Sequence, residues 1–422
     1  MNPDFGISRV LAELYGENAL EDQIERYTGL DRAFAERFGG DPEYRFSTPG
    51  RSELGGNHTD HNHGRVLAAS VDLDTIAAVS PIDEPAVRMI SHGYPEEFRI
   101  DLTDLDPVPA EEGTTNALIR GVAAGLDRNG HRIGGFEAAV TSRVASGSGL
   151  SSSASVEVLI GTVFNRLYND GSIDSVRIAK TGRFAENLYF GKPCGLMDQI
   201  ACAHGGIVSI DFFDPENPVV TGVRYDFGSK GYVLAVVHTG GSHDDLTPHY
   251  AAVFDEMRSV ASFFGREYCR EITPEEVLSR IDDLRRSAGD RAVLRFFHFA
   301  DDNRRVGAQI EALQHDDISG YLELVNASGK SSWTLLQNCS VPDRPRDQGI
   351  PVGLALAERV LRGRGAVRVH GGGFAGTIQA YVPADCYGEF VRVMEHSFGK
   401  GAVTPLEIRP LGSICLNDLG KI

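Results

Sequence analysis

Residues 141–155 read Thr-Ser-Arg-Val-Ala-Ser-Gly-Ser-Gly-Leu-Ser-Ser-Ser-Ala-Ser and carry the densest chemical signal in the chain. A Gly147-Ser148-Gly149 turn runs through Leu150 into the hydroxyl side chains Ser151, Ser152 and Ser153. Glycines let a backbone approach a ligand closely, and unpaired N–H groups at a helix start attract anions. The hydroxyls can bond phosphate oxygens or ligate Mg²⁺. The stretch therefore reads as a phosphate cradle, with a serine-rich turn capping an ordinary helix as the plain alternative. It is not a Walker loop. The Gly329-Lys330-Ser331 run elsewhere has Leu324 where that loop needs glycine. Nor is it a dinucleotide fingerprint, whose third glycine position holds Ser152.

Three further constellations add polar chemistry. Gly50-Arg51 through Gly64 packs Asn57, His58, Thr59, Asp60, His61, Asn62 and His63 between glycines, which suits a loop facing a polyhydroxylated ligand. A metal site from His58, Asp60, His61 and His63 is a rival reading, weakened because these residues lack the carboxylate–histidine pattern of known hydrolase helices. Glu186 precedes Cys194-Gly195-Leu196-Met197-Asp198-Gln199, so two carboxylates flank a glycine-containing turn. One could hold Mg²⁺ and the other could face a nucleophilic hydroxyl. Asp198 sits among Met197, Ile200, Ala201 and Cys202, where an unpaired carboxylate would be costly. Last, Gly371-Gly372-Gly373-Phe374-Ala375-Gly376 lies between strand-like stretches and implies close approach by a ligand or another backbone.

These loops need elements to hold them. Val156, Leu159, Ile160, Val163, Phe164 and Leu167 mark a helix buried on one face directly after the serines. Residues 1–40 read as polar helix with Leu11, Leu14 and Tyr15 on one side. Strand-like stretches recur at Val66–Val79, Ala86–Ile90, Gly135–Val140, Ile207–Phe213, Tyr232–His238 and Thr377–Val382, and helical ones near 176–189, 247–265, 274–286 and 303–313. Turn formers at Asp214–Pro218 mark the best domain boundary. Strands and helices mix without strict alternation, which favours α+β over a doubly wound sheet.

Composition narrows the partners. The chain has 422 residues and a net charge of −18, which argues against nucleic acid but not against one nucleotide triphosphate. The six cysteines are scattered without a Cys-x-x-Cys pair, as expected of reduced thiols. The N-terminal residues lack the basic and apolar blocks of a signal peptide, and no apolar run is long enough to span a bilayer. A cytoplasmic protein that binds neither membrane nor nucleic acid is the expectation.

Taken together and in order, these motifs resemble the GHMP small-molecule kinases, and within them the galactokinases. The match covers roughly residues 33 to 415 and rests on Phe34, Phe38-Gly39 and Pro42, then Pro49-Gly50-Arg51, Gly56 to Asp60, Gly147 to Ser155, Cys194 to Gln199 and Gly371 to Phe374. The resemblance implies a helical extension at 1–32, a ribosomal-protein-like domain at 33–216 and a ferredoxin-like domain at 217–422, with the active site in the cleft between. It implies transfer of the ATP γ-phosphoryl group, with Mg²⁺, to the anomeric hydroxyl of a monosaccharide, galactose foremost, by a monomer or weak homodimer. By position, Arg51 and Asp198 match the catalytic pair. Gly147, Ser148, Gly149, Leu150, Ser151, Ser152 and Ser153 match the nucleotide loop. Ser152 and Glu186 match the Mg²⁺ ligands, with Ser153 nearly as well placed. Asn57, His58, Asp60, Gly195 and Tyr250 match sugar contacts.

Departures from the family pattern bear on the sugar. Galactokinases usually carry glutamate and tyrosine where this chain has Asn57 and His61. That glutamate meets the sugar's C6 hydroxyl, so Asn57 is expected to face C6 and, as an amide, to tolerate other groups there. Ala145 and Ser146 replace the proline before Gly147, Ala375 replaces a glycine, and His243-Asp244-Asp245 adds two carboxylates before Tyr250. Galacturonate, N-acetylgalactosamine and L-arabinose are alternative substrates. A non-catalytic sugar or ATP sensor is the alternative of a different class, disfavoured by retention of Arg51, Glu186 and Asp198.

Overall fold

Alternating apolar residues make β2 (Arg65–Ile82) the spine of the molecule, because both of its faces are buried. Side chains of a strand alternate between faces. Val66, Ala68, Ala77 and Val79 point into one core, whereas Leu67, Ala69 and Val71 point into a second and Ile76 and Ala78 into a third. The structure is a computed structural model, and the residues it describes are 5–145, 147, 149–241 and 246–419. Ser148 and the His243-Asp244-Asp245 loop lie outside them.

β2 pairs with β1 (Tyr44–Gly55) on one side, and on the other with β5 (Gly135–Ser142) along one half and β6 (Ile207–Asp211) along the other. β3 (Ala86–Ser91) runs parallel to β5 and carries β4 (Phe98–Asp101) at the edge. Two strands beyond residue 216 also join this sheet: β7 (Val219–Val223) pairs with β6, and β12 (Ile414–Cys415) pairs with β1. Helices Thr115–Arg128, Ser152–Tyr168, Ser175–Ala185 and Met197–His204 cover one face. The second helix of the polar N-terminal region spans Leu20–Phe38, and its Tyr27, Leu30 and Phe34 pack against β2 and β5 on the other.

The second sheet contains β8 (Tyr232–His238), β9 (Ala366–Val369), β10 (Thr377–Pro383) and β11 (Val403–Leu406), in the order β11-β8-β10-β9 and all antiparallel. Helices Gly349–Leu361 and Tyr387–Phe398 pack against Val237, Ile378, Ala380 and Val382. Leu234, Val236 and Tyr381 point the other way and share a core with Leu67, Ala69 and Val71 of β2. The architecture is α+β with two domains, as expected, and a continuous apolar core fixes one sheet against the other. No described helix is long and apolar enough to cross a membrane.

Candidate active site

Arg51 stands within β1 directly after the β1–β2 register shifts, between Pro49 and Arg51. Such an irregularity re-aims a side chain out of the regular pleat. The guanidinium reaches Asp198, the second residue of helix Met197–His204, and grips it bidentately: Nε donates to Oδ1 at 2.7 Å and Nη2 to Oδ2 at 2.7 Å. Its third nitrogen, Nη1, donates to the Gly149 carbonyl, while the Arg51 backbone N–H donates to the Leu150 carbonyl at 3.0 Å. Arg51 is buried, whereas the Asp198 side chain keeps 31% of its surface exposed. Burial alone would raise the Asp198 carboxyl. Arg51 and the Ser151 hydroxyl outweigh it and hold the group below the usual carboxylate range. The result is an ionised carboxylate with one open side.

The serine loop meets this pair through strained backbone. Ser151 is left-handed, at φ 61°. It occupies the cap position of helix Ser152–Tyr168, yet its hydroxyl makes no cap bond and donates to Asp198 instead. The first-turn N–H groups thus keep no side-chain cap, which leaves an anion-attracting helix start beside Asp198. Gly149 (φ 75°) is pinned from the other domain: a Cβ there would lie 2.7 Å from Thr377 Oγ1 and 2.9 Å from His370 Nδ1.

Glu186 opens a π-turn, Glu186–Phe190, and is almost wholly buried. Its Oε1 accepts from Ser153 Oγ at 2.9 Å and from Lys192 Nζ at 3.1 Å. Its Oε2 accepts from Gln199 Nε2 at 3.0 Å, and that nitrogen also donates to Glu157 Oε2 at 3.0 Å. Burial, and then the neighbouring Glu186, push the Glu157 carboxyl well above the ordinary glutamate range. Of the two candidate serines it is Ser153 that faces Glu186; among the described residues Ser152 makes no such contact. A carboxylate and a serine hydroxyl beside a helix N-terminus are hard oxygen donors and fit Mg²⁺ once phosphate oxygens complete the shell.

The sugar-loop candidates divide. Asp60 meets Gly195 so closely that a Cβ on Gly195 would lie 2.0 Å from Asp60 Oδ2. His58 Nε2 bonds the Gly372 carbonyl at 2.9 Å, and burial lowers the imidazole to about 3. Tyr250 Oη donates to the Gly373 carbonyl at 3.1 Å, and its ring meets Phe374 edge-on at 5.4 Å. The Gly371–Gly373 loop therefore carries both.

Asn57 requires a correction. It is fully buried, and its amide is spent on protein: Nδ2 donates to the Gly371 carbonyl at 2.7 Å and Glu53 Oε1 at 3.1 Å, while Oδ1 accepts from Asn338 Nδ2 at 2.9 Å. Its backbone is bound by Asp302 and His298. No atom remains to face a sugar C6 oxygen; Asn57 holds the two glycine loops together from behind. The rival metal reading also fails to assemble. His63 stacks on Tyr268 at 3.6 Å, and among the described residues no group of three or more His, Cys, Asp or Glu could hold a metal ion.

A cavity of about 260 Å³ opens beyond Phe374, bounded by Gly240, Gly241, Arg344, Arg346 and Gly349. Its lining includes none of Arg51, Asp198 or Glu186, so it is separate from the cluster described above. Sequence reasoning missed Lys192, Gln199 and Glu157. Gln199 stands inside the Cys194–Gln199 motif and Lys192 just before it, which was the available signal. Glu157 is masked by its place in an apolar helix.

Comparison with known proteins follows the same motifs. The galactokinase galactose-binding signature matches residues 32–81, and the GHMP kinase N-terminal domain matches residues 117–206. The fold is similar to that of Lactococcus lactis galactokinase complexed with galactose, at TM-score 0.78 and 24% identity over 92% of this chain and 99% of that one. Methanococcus jannaschii mevalonate kinase matches at TM-score 0.61 and 16% identity, over 87% of this chain and 99% of that one. Streptococcus pneumoniae phosphomevalonate kinase, in complex with phosphomevalonate and AMPPNP, matches at TM-score 0.58 and 15% identity, over 88% and 99%.

Proposed function

We propose, from the premise that this chain belongs to the GHMP kinase superfamily and carries the galactokinase signature, that it phosphorylates the anomeric hydroxyl of a monosaccharide with ATP, galactose foremost. The observation that supports this most is the bidentate Arg51–Asp198 pair at the foot of the serine loop.

Phosphoryl transfer asks for positioning and charge stabilisation more than for covalent chemistry. Asp198 is ionised, so it can accept a hydrogen bond from the sugar's C1 hydroxyl and aim that oxygen. Held below the usual range by Arg51, it is a weak base and takes the proton late, as the new O–P bond forms. Arg51 fixes both carboxylate oxygens. The helix start at Ser152 and Ser153 and the backbone of Gly147 to Leu150 would receive the nucleotide phosphates. Glu186 with Ser153, or with Ser152, would hold Mg²⁺, which supplies charge neutralisation on the phosphates. Asp60, Gly195, His58 and Tyr250 would bound the sugar.

The test is ADP release from the full chain over galactose, galacturonate, N-acetylgalactosamine and L-arabinose, with the product identified by phosphorus NMR. A sugar 1-phosphate is expected. Binding of sugar and nucleotide with no turnover on any sugar would overturn the kinase reading in favour of a sensor.

A further inference from the structure

We propose that Lys192 is a swinging cation of the active site, seated on Glu186 in the empty protein and transferred to the terminal phosphoryl group of the nucleotide when Glu186 is taken up by a divalent ion. This rests on the phosphotransferase reading above.

Glu186 Oε1 accepts from Ser153 and from Lys192, so the ammonium occupies a lone-pair direction that a ligated ion would need. The two partners differ in freedom: the Glu186 side chain is 3% exposed, whereas that of Lys192 is 63% exposed. The carboxylate is locked by Gln199 and Ser153; the lysine stem is free to turn. Its base is nonetheless fixed, because the Lys192 backbone N–H donates to the Glu186 carbonyl at 3.1 Å. The swing is therefore a rotation of the side chain about a fixed base.

The ammonium is central to the site. It pulls down the carboxyls of Glu157 and Asp198 and also the Tyr250 phenol, so it lies within electrostatic reach of all three. Arg51, by contrast, is committed to Asp198 and the Gly149 carbonyl and has little charge to spare. Without Lys192, Glu186 would be a buried carboxylate beside Glu157 with no cation on it, a costly arrangement in the empty protein. A divalent ion on Glu186 removes that need and repels the ammonium. Asp198 is already paired with Arg51, so phosphate oxygens received at the helix start would be the next anionic acceptors, and a compact ammonium on a flexible stem can follow them. The step is an exchange of ion partners; no bond forms or breaks.

Lys192→Met keeps the stem and removes the charge. Calorimetry on the full chain reads two quantities that need no turnover. The first is Mg²⁺ affinity in the presence of saturating ADP, expected to tighten several-fold in Lys192→Met because the competitor on Glu186 is gone. The second is the preference for AMPPNP over ADP, expected to fall by roughly tenfold, the scale of one charge-assisted hydrogen bond. Lys192→Arg should restore part of that preference. Weaker or unchanged Mg²⁺ affinity in Lys192→Met would mean that the lysine merely braces Glu186, and would overturn the exchange. An unchanged AMPPNP preference would overturn the phosphoryl contact. Both readouts stand even where no sugar is turned over, so failure of the kinase reading is seen separately.

Discussion

Two carboxylates of this molecule are gripped by arginine in nearly the same chemical way and serve opposite ends. Asp74 has no exposed surface; Arg26 reaches it at 2.5 Å and Arg409 at 3.1 Å, and Tyr15 and Ser47 donate to the same group. These partners come from the N-terminal helices, β1 and the segment before β12. Asp198 has one arginine and one serine and keeps an open side. Burial would raise both carboxyls, and in both the arginine partners outweigh it and hold the group below the usual range. What separates the clamp from the proposed reaction centre is solvent exposure, none for Asp74 and 31% for Asp198, not an unusual acidity.

The largest expected effect breaks the comparison from the catalytic side. Asp198→Asn should lower kcat by about 10²–10⁴-fold, the scale of acid–base and positioning groups, with nucleotide affinity little changed. Near-normal turnover in a folded variant would remove Asp198 from the mechanism. Asp74→Asn should do the reverse. It strands two buried guanidiniums and should cost about 3–5 kcal/mol, read as a fall in the urea midpoint, with kcat per folded molecule preserved. A loss of kcat without a loss of stability would show that the clamp communicates with the site.

Asn57→Glu sharpens the comparison at a third polar centre. Glu53 already sits there against buried Arg368, and burial pushes its carboxyl up to about 7. A second carboxylate 3.1 Å away could not donate to Glu53 or to Gly371. The variant should lose about 1–3 kcal/mol of stability by leaving buried polar groups unpaired, with the ratio of kcat/KM for galactose and galacturonate unchanged. A shifted ratio at unchanged stability would return Asn57 to the sugar.

The smallest effect concerns acid. His58 and His370 are lowered to about 3 by burial, and His298 is lowered for the same reason. Unfolded histidine titrates near 6.5. Between those values the unfolded chain binds more protons, so the stabilisation is complete above about pH 6.5 and is lost as pH falls toward 3. Each such histidine contributes at most about 1.4 kcal/mol per pH unit in that window. Asp74 and Asp198 are held below the usual carboxylate range by their arginine partners. Glu53, raised by burial, works the other way over the same range, so the check is the difference between two proteins: from about pH 7 to 4.5 the urea midpoint of His370→Gln should lose less, or gain more, than that of the wild type. An unchanged slope would mean that His370 is not held neutral.

Much of this was legible in the chain. Apolar periodicity marked β2, β5, β8 and the helix after Ser153, because burial on a strand or helix leaves a repeat that neighbours in sequence record. Glycine and serine spacing marked the loop that meets Asp198, and motif order pointed to Arg51, Glu186 and Asp198. Some bounds were not legible: the helix expected at 303–313 begins at Asp290, and the first sheet takes strands from beyond residue 216.

What the order of residues determined, then, was which local elements form and which side chains are chemically competent, since both depend on near neighbours. What only the tertiary structure decided was which way those side chains face. Asn57 turned inward because Gly371, Glu53 and Asn338, brought from 4 to 314 residues away, satisfy its amide better than the cleft would. Ser153 and not Ser152 met Glu186 because the left-handed Ser151 sets the rotation of the helix start. Lys192 entered the site because a π-turn folds its backbone onto Glu186. Side-chain direction is set by long-range partners and by backbone twist, and neither is written in any short stretch of sequence.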